Sequence, residues 1–389
     1  MSLKQELKAE AHRLGFQLAG ITPPGPPLHF SVFENWLRAG RHGEMSYLAT
    51  EQSRQRRADP RNILPDCRSI LVVGIRYAAP NLSKEDNYQS IVGQIAAYAW
   101  GNDYHQVLPM RLRALASFVE NKVGKAVPNR VYSDTGSILE RDMGQRAGLG
   151  WIGKNTCLIS PGLGSYFLLA EVLLGIEMEP DQAFTADFCG TCTRCLEACP
   201  TGCILPDRTL DASRCISYLT IELKGSIPPV LRKGIGAWIF GCDVCQQVCP
   251  WNLRFATPHG DADFEPNTGN PHPDLLQELN LSALSFNSKF KNSPVKRAKR
   301  RGYLRNVIVA LVNAVNKDVN HQNQIVRALS QVLFQEAEPL VRSHAAWALG
   351  EMGGEAAHRD LRRAAKLETD ESTLAEILTA IECYNIIQT

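Results

Sequence analysis

The sequence predicts an α+β multidomain protein, and three observations carry that reading. Strand-like and helix-like apolar patterns are mixed over roughly the first 180 residues. Two cysteine-rich runs follow, one opening at Cys189 and one at Cys242. From Asn306 onward the apolar residues recur at helical spacing, interrupted only by short polar or glycine breaks. A chain of 389 residues with 44% hydrophobic content is long enough to bury cores in two or three domains. Its longest apolar stretch, Tyr166 to Met178, is interrupted by Glu171 and Glu177 and is far short of a membrane span, so no bilayer is expected. A net charge of only +2 means that any nucleic-acid contact must come from a local patch.

Taken in order, Ser2 to Leu18 reads as an amphipathic helix, with Ser2 and Gln5 spaced as a capping box and Gly15 ending its regular part. The β-branched run Ser69 to Tyr77 reads as a buried strand, Met110 to Val123 as a helix, and Val127 to Ser133 as a short strand. Tyr166 to Leu174 fits a further strand, and a buried helix has the same pattern over so few residues. These elements define an α/β domain over 1–180. A cysteine-rich module over 181–260 follows, with the Pro, Gly, Asn and Asp of Leu253 to His272 at its end. Residues 261–288 are expected to be a linker, and 289–389 a basic stretch leading into helical repeats. Helices are expected over Asn306 to Val315, Gln324 to Phe334, Pro339 to Met352, Ala356 to Lys366 and Glu371 to Ile381. VRSHAAWALG, from Val341, looks like half of a HEAT-type unit, with a plain helical bundle as the alternative.

The run Cys189 to Pro200 reads C-x-x-C-x-x-C-x-x-x-C-P, the spacing that holds a 4Fe-4S cluster and sends its fourth cysteine to a second one. The partner run is Cys242, Cys245, Cys249 and Pro250, and Cys215 can supply its missing thiolate, with Cys203 as competitor. By crossed ligation, cluster one takes Cys189, Cys192, Cys195 and Cys249, and cluster two takes Cys199, Cys215, Cys242 and Cys245. Zinc would leave three cysteines at two-residue gaps plus Cys-Pro in excess of a tetrahedral site. Disulfides are not expected: Met1 to Phe16 is charged and lacks the apolar centre of a signal peptide, which points to a reducing cytoplasm. Cys67, Cys157, Cys203 and Cys383 have no role beyond packing.

Several motifs have two readings. Gly148, Gly150 and Gly153 spell G-x-G-x-x-G, and Gly148 to Lys154 opens a phosphate loop. The stretch follows a helical pattern rather than a strand, and Asn155 replaces the magnesium-binding hydroxyl, so neither nucleotide reading holds. Asp103 and His105 begin D-x-H-x-x-G, but Leu108 stands at the glycine position, which favours a hydrogen-bonded histidine over a cobalt ligand. Arg54, Arg56 and Arg57 form either a solvated face or an anchor for amide or phosphate groups. Asp134 follows a strand and precedes a helix, where it either caps the helix or points into a cleft. Eight of the seventeen residues from Lys289 to Arg305 are Lys or Arg and none is acidic. Lys296, Arg297, Lys299, Arg300, Arg301 and Arg305 are therefore candidates for phosphate contact.

Four stretches taken together resemble the epoxyqueuosine reductase family. They are SDTGSILERDMGQRAGLGWIGKNTCLISPGLGSYFLLAEVLL, FCGTCTRCLEACPTGCI, RCISYLTIELKG and GCDVCQQVCPWN, and the likeness runs from RRADPRNILP to VRSHAAWALGEMG. The resemblance implies reduction of the epoxide of epoxyqueuosine at the wobble position of tRNA to queuosine, with cobalamin and two 4Fe-4S clusters. It implies a nitroreductase-like cobalamin domain, electrons passed through the clusters from a flavodoxin or ferredoxin-type donor, and a monomer. Asp134 matches the family's proton donor. Cobalamin contacts carry over to Arg57, Asp134, Lys154, Asn155, Leu158, Ser160, Leu169, Ser217 and Asp243, and the basic stretch would hold the anticodon stem-loop. A reductive dehalogenase-like corrinoid enzyme and a ferredoxin-type carrier are the alternatives.

Overall fold

In the computed structural model, Ser69–Arg76 forms the strand that its β-branched run predicts, buried along nearly its whole length. The structure describes residues 1–80, 91–314 and 319–388. Val315, where the helix from Asn306 was expected to end, lies outside the described residues, as do the side chains of 319–321 and 383–388, Cys383 among them. The chain divides into two units. The first comprises Met1–Lys84, Ala97–Cys215 and Asp243–Asn267, and the second Glu85–Ala96, Ile216–Cys242 and Thr268–Thr389.

The first unit is built on a four-stranded antiparallel sheet of β1 (Leu18–Thr22), β2 (Ser69–Arg76), β3 (Asn129–Tyr132) and β4 (Phe167–Leu174) in the order β1-β2-β4-β3. Strands β2 and β4 pair over eight residues, from Ser69 opposite Leu174 to Arg76 opposite Phe167. Helix α1 (Leu3–Arg13) carries the predicted capping box: Ser2 N–H donates to Gln5 Oε1 at 3.0 Å, and Gln5 N–H donates to Ser2 Oγ at 3.3 Å. It stops short of Leu18 because Gly15, at φ +94°, turns the chain, and Leu18 opens β1 instead. Gly20 on β1 has no room for a side chain, since a Cβ there would stand 2.1 Å from the Ala147 carbonyl oxygen.

Helix α2 (Tyr104–Val123) starts six residues before the predicted Met110, because Asp103 caps it by accepting the His105 N–H at 3.0 Å. Its Leu108, Leu112, Leu115 and Val119 are fully buried. Helix α3 (Glu140–Arg146) follows the loop that carries Asp134. Its Asp142 is buried and accepts both the Leu28 and His29 backbone N–H groups and the His29 ring Nδ1–H, at 3.2, 2.9 and 2.6 Å.

In the second unit, helix α4 (Ile216–Ile221) precedes a short strand, Trp238–Phe240, which pairs in parallel with Gln94–Ile95. The stretch expected as a linker holds two short helices, Leu275–Leu279 and Ala283–Lys289. Five helices follow: α5 (Lys299–Ala314), α6 (Val319–Gln335), α7 (Pro339–Met352), α8 (Gly354–Ala364) and α9 (Glu371–Gln388). They match the five predicted segments in order. Helix α5 is buried from Gly302 to Leu311, and it corrects one expectation about the basic stretch. Arg305 is fully buried: its guanidinium donates to the carbonyl oxygens of Leu219, Leu223 and Gly225 at 2.6, 3.0 and 2.6 Å and to Asn306 Oδ1. It is a structural arginine with no face for a phosphate, because peptide carbonyls that cannot reach water have claimed its donors. Asn306 completes the arrangement by donating to the Thr220 and Ile239 carbonyls at 2.8 and 2.9 Å. Replacing Arg305 by Met should lower stability by about 2–4 kcal/mol through the orphaned carbonyls. The midpoint of denaturant unfolding followed by circular dichroism measures that loss.

Candidate functional site

The first unit brings together two groups of predicted residues. The first is a thiol-lined cavity. Cys189, Cys192, Cys195 and Cys249, the four cysteines assigned to cluster one from spacing alone, all line it. Cys195 sits on the short helix Arg194–Ala198, Cys192 and Cys189 in the turn that leads into it, and Cys249 stands just before the helix Pro250–Phe255. An aromatic cluster stands beside the cavity and lines it with Phe188 and Trp251. Trp151, Phe184, Phe188 and Trp251 pack edge-on and stacked at centroid distances of 5.0 to 5.9 Å, and Trp151 Nε1–H donates to the Cys189 sulfur at 3.5 Å. Lys154 Nζ donates to the Gly190 and Cys192 carbonyls at 2.7 and 3.0 Å, which ties the post-glycine loop to the cysteine loop. Among the described residues no three His, Cys, Asp or Glu side chains converge tightly enough to hold a single metal ion. A cubane makes no such demand, because each thiolate binds a different iron.

In the same unit Cys199 stands 3.4 Å from Cys203, sulfur to sulfur, and Cys203 also reaches Cys215. Both competitors for the missing ligand therefore lie in the company of Cys199. Cys245 belongs to the same unit, and its carbonyl accepts from Asn155 Nδ2 at 3.4 Å. Cys242 and Ser217 belong to the second unit.

The second group surrounds Asp134. This residue adopts φ +60°, a left-handed conformation unusual for a side chain other than glycine. Helix α3 begins at Glu140 with Leu139 at the cap position, so Asp134 does not cap it. The carboxylate is two-thirds exposed, at 66%. Its Oδ2 accepts the Tyr104 O–H at 2.7 Å and lies 3.7 Å from His105 Nε2, while His105 Nδ1 faces Asp103 at 2.8 Å. His105 is thus the hydrogen-bonded histidine expected from the broken D-x-H motif. Burial pulls the imidazole down, and the two carboxylates outweigh it and raise it to about 9. Partial enclosure pushes Asp134 up, and the bonds from His105 and Tyr104 outweigh that and hold it below the usual carboxylate range.

The remaining predicted contacts are mostly internal. Arg57 is 9% exposed, donates to the Ser53 hydroxyl and lies over the Phe33 ring at 5.5 Å. Leu158 and Ser160 are buried, and the Leu169 carbonyl accepts the Ser133 hydroxyl at 3.1 Å. Asp243 is buried, accepts the Ala97 N–H at 2.7 Å, and is pushed up to about 6 by burial. Sequence reasoning missed three neighbours of Asp134: Tyr104, Glu140 and Glu171. The signal available for Glu171 was a carboxylate inside an apolar strand.

A family model described as 4Fe-4S double cluster binding domain matches residues 188–252, and one described as epoxyqueuosine reductase QueG, DUF1730 matches residues 57–135. A Cyclobacterium marinum protein named epoxyqueuosine reductase is 39% identical over 311 residues, covering 78% of this chain and 95% of that relative. The chain belongs to the epoxyqueuosine reductase family. An epoxyqueuosine reductase of Pseudomonas aeruginosa is 37% identical over 90% of this chain and 95% of its own length. A solved epoxyqueuosine reductase with a tRNA-Tyr epoxyqueuosine-modified stem loop superposes with a TM-score of 0.88, at 32% identity, over 98% of this chain and 99% of that one. The Bacillus subtilis epoxyqueuosine reductase, solved with its catalytic aspartate loop swung out of the active site, gives 0.86 at 32% identity, over 98% of each chain. Like its family, this chain is an enzyme with a 4Fe-4S double-cluster binding domain. Among its described residues no helix is long and apolar enough to cross a membrane.

Changing Cys215 to Ser should remove about half of the bound iron, whereas changing Cys203 to Ser should leave the iron content at the parent level. Iron and sulfide analysis of the purified variants distinguishes the two thiols.

Proposed function

We propose that this protein reduces the epoxide of epoxyqueuosine at the wobble position of tRNA to queuosine, with electrons passed through two 4Fe-4S clusters to cobalamin and Asp134 as proton donor. The observation that carries the reading is the Asp134 carboxylate, exposed on a left-handed turn and held by Tyr104 and His105, in the same unit as the four-thiol cavity. The ligand sets are those given by spacing: Cys189, Cys192, Cys195 and Cys249 for one cluster, and Cys199, Cys215, Cys242 and Cys245 for the other. The work divides into a nitroreductase-like cobalamin domain over 1–180, the clusters over 181–260, a connection over 261–288 and HEAT-like helices over 289–389. A flavodoxin or ferredoxin-type donor, a monomeric state and a cytoplasmic location complete the reading.

The residues fit cobalamin at a point that the sequence did not supply. The Tyr166 hydroxyl is buried with no hydrogen-bond partner, near Asp243, and a polar group of a bound corrinoid would satisfy it. Arg57, Tyr166 and the loop of Lys154, Asn155, Leu158 and Ser160 would hold it, the loop mainly through backbone atoms, since Asn155, Leu158 and Ser160 are buried and Lys154 is bonded to the cysteine loop. Leu169, Ser217 and Asp243 are the further contacts that the family resemblance implies. When bound, cobalamin would supply a centre that collects electrons singly and gives them up as a pair.

Removing an epoxide oxygen as water, and leaving a carbon–carbon double bond, consumes two electrons and two protons. His105, raised to about 9, carries a proton at neutral pH and stands close enough to Asp134 Oδ2 to recharge it. Asp134 is ionised while open to solvent. Covering it with substrate strips its water and moves it upward, the direction that an acid at the departing oxygen requires. Tyr104 keeps the carboxylate aimed. The anticodon stem-loop is held by the exposed Lys296, Lys299 and Arg301, with Arg297 and Arg300 beside them in ion pairs to Glu222 and Glu336.

The test is nucleoside analysis of tRNA from cells lacking the protein, which should accumulate epoxyqueuosine in place of queuosine. Asp134→Asn should lower turnover by about 10²–10⁴-fold with cluster absorbance unchanged. Replacing Lys296, Lys299 and Arg301 by Ala should reduce the slope of log affinity against log salt by roughly 1 for each lost phosphate contact, as measured by tRNA binding between low and moderate salt.

A further inference from the structure

Glu171 sits in the middle of β4, fully buried, with no N–H or hydroxyl donor to either carboxyl oxygen; its hydrogen-bond neighbour is the Glu140 carboxyl, with which it can pair only when one of the two carries a proton. Its register partners are Val72 on β2 and Tyr132 on β3, so the strands offer it no compensating charge. The nearby ionisable group is Glu140, the first residue of α3. Glu140 in turn accepts the Asp134 backbone N–H at 2.6 Å through Oε1, across the six-residue loop. The other charged groups facing this corner are Asp134, Arg141 and Arg57, with Tyr104, His105 and Asp103 beyond Asp134.

We propose that Glu140 is the positioning residue of the Asp134 loop, and that Glu171 holds the proton that allows two carboxyls to share the pocket behind it. Glu140 takes the one backbone donor of Asp134, fixing the left-handed turn that presents the side chain to Tyr104 and His105. A buried carboxyl whose neighbour is a second carboxyl stays protonated, because its charged form would lose its hydration and the O–H bond to Glu140 together. A protonated Glu171 spares Glu140 the repulsion of a second buried charge. Burial and the Asp134 charge push Glu140 up to about 7, and burial and the Glu140 charge push Glu171 well above the usual range. Both pKa values are raised in the closed arrangement. Closure is therefore most favourable below the ordinary glutamate pKa and weakens as pH rises through about 7. Asp134 is held in place at mildly acidic and neutral pH and released under alkaline conditions.

The role rests on the reading of Asp134 as the residue at the reacting oxygen, and its test reads the loop itself, with turnover used only to tell failure of that reading from failure of the role. Amide hydrogen exchange of the purified protein, with the intrinsic pH dependence divided out, reports the Asp134 N–H directly. Glu140→Ala should speed exchange at Asp134 at least about tenfold while amides of β2 and β4 keep their protection. Glu140→Gln, which retains an acceptor, should stay near the parent. Glu171→Gln should fold like the parent and flatten the rise in Asp134 exchange between about pH 6 and pH 9. Parent-like exchange in Glu140→Ala overturns the positioning role, and so does protection lost from the sheet together with the loop. A parent-like pH profile in Glu171→Gln overturns the part assigned to the proton. Should Glu140→Ala free the loop and yet leave epoxyqueuosine reduction unchanged, the reading of Asp134 fails while the positioning role stands.

Discussion

A carboxyl group embedded in the central strands of a sheet is the constraint from which the arrangement around Asp134 follows. Glu171 lies on β4, paired with β2 on one side and β3 on the other, in an apolar layer that offers its oxygens no donor. Such a group is tolerated only uncharged, and its neighbours are then limited to those that do not force it to ionise. Glu140 meets that condition and turns its other side to the Asp134 backbone. The chemistry at the surface is thus supported from inside the sheet, through one helix terminus and one backbone hydrogen bond. Asp134 itself needs few direct contacts, which leaves it open to a substrate.

The thiol cavity is supported in a different way. Its cysteines lie in short turns and helices that have little apolar surface of their own, and the aromatic cluster of Trp151, Phe184, Phe188 and Trp251 substitutes for a conventional core. Lys154 binds carbonyls of the cysteine loop, which accounts for a lysine beside the glycines without any nucleotide. The phosphate-loop likeness is therefore a coincidence of spacing around a lysine with a structural task.

Much of the fold was legible because local signals agreed with tertiary context. The run around Val72 could only be a buried strand, Ser2 and Gln5 could cap a helix without help, and the five C-terminal helices each had a full apolar stripe. Where reading failed, long-range contacts decided. Leu18 was read as the last residue of the first helix and instead opens the strand Leu18–Thr22, because β2 offers that segment an edge. The start of α2 was obscured by a motif-like string whose aspartate turned out to be a cap. Arg305 was counted with its basic neighbours because charge runs are ordinarily solvated, and nothing local marks the three carbonyls that bury it. The four thiols of one cavity followed from spacing, since their separations are set by the cluster. The carboxyls behind Asp134 did not, because their meeting depends on how α3 packs against β4.

The order in which the chain is threaded through its two units bears on biosynthesis. Residues Ile216–Cys242 leave the ribosome before the last piece of the first unit but belong to the second unit, and the groups that satisfy their carbonyls, Arg305 and Asn306, are made 67 to 86 residues later. The first unit, by contrast, has all its pieces once Asn267 has emerged. A nascent chain therefore passes through a period in which one unit can assemble while a segment of the other waits with unpaired peptide groups, a window that favours chaperone capture. For the same reason no single cut in the gene separates the units cleanly, and a shortened version ending after Asn267 would carry an orphaned segment rather than an independent domain.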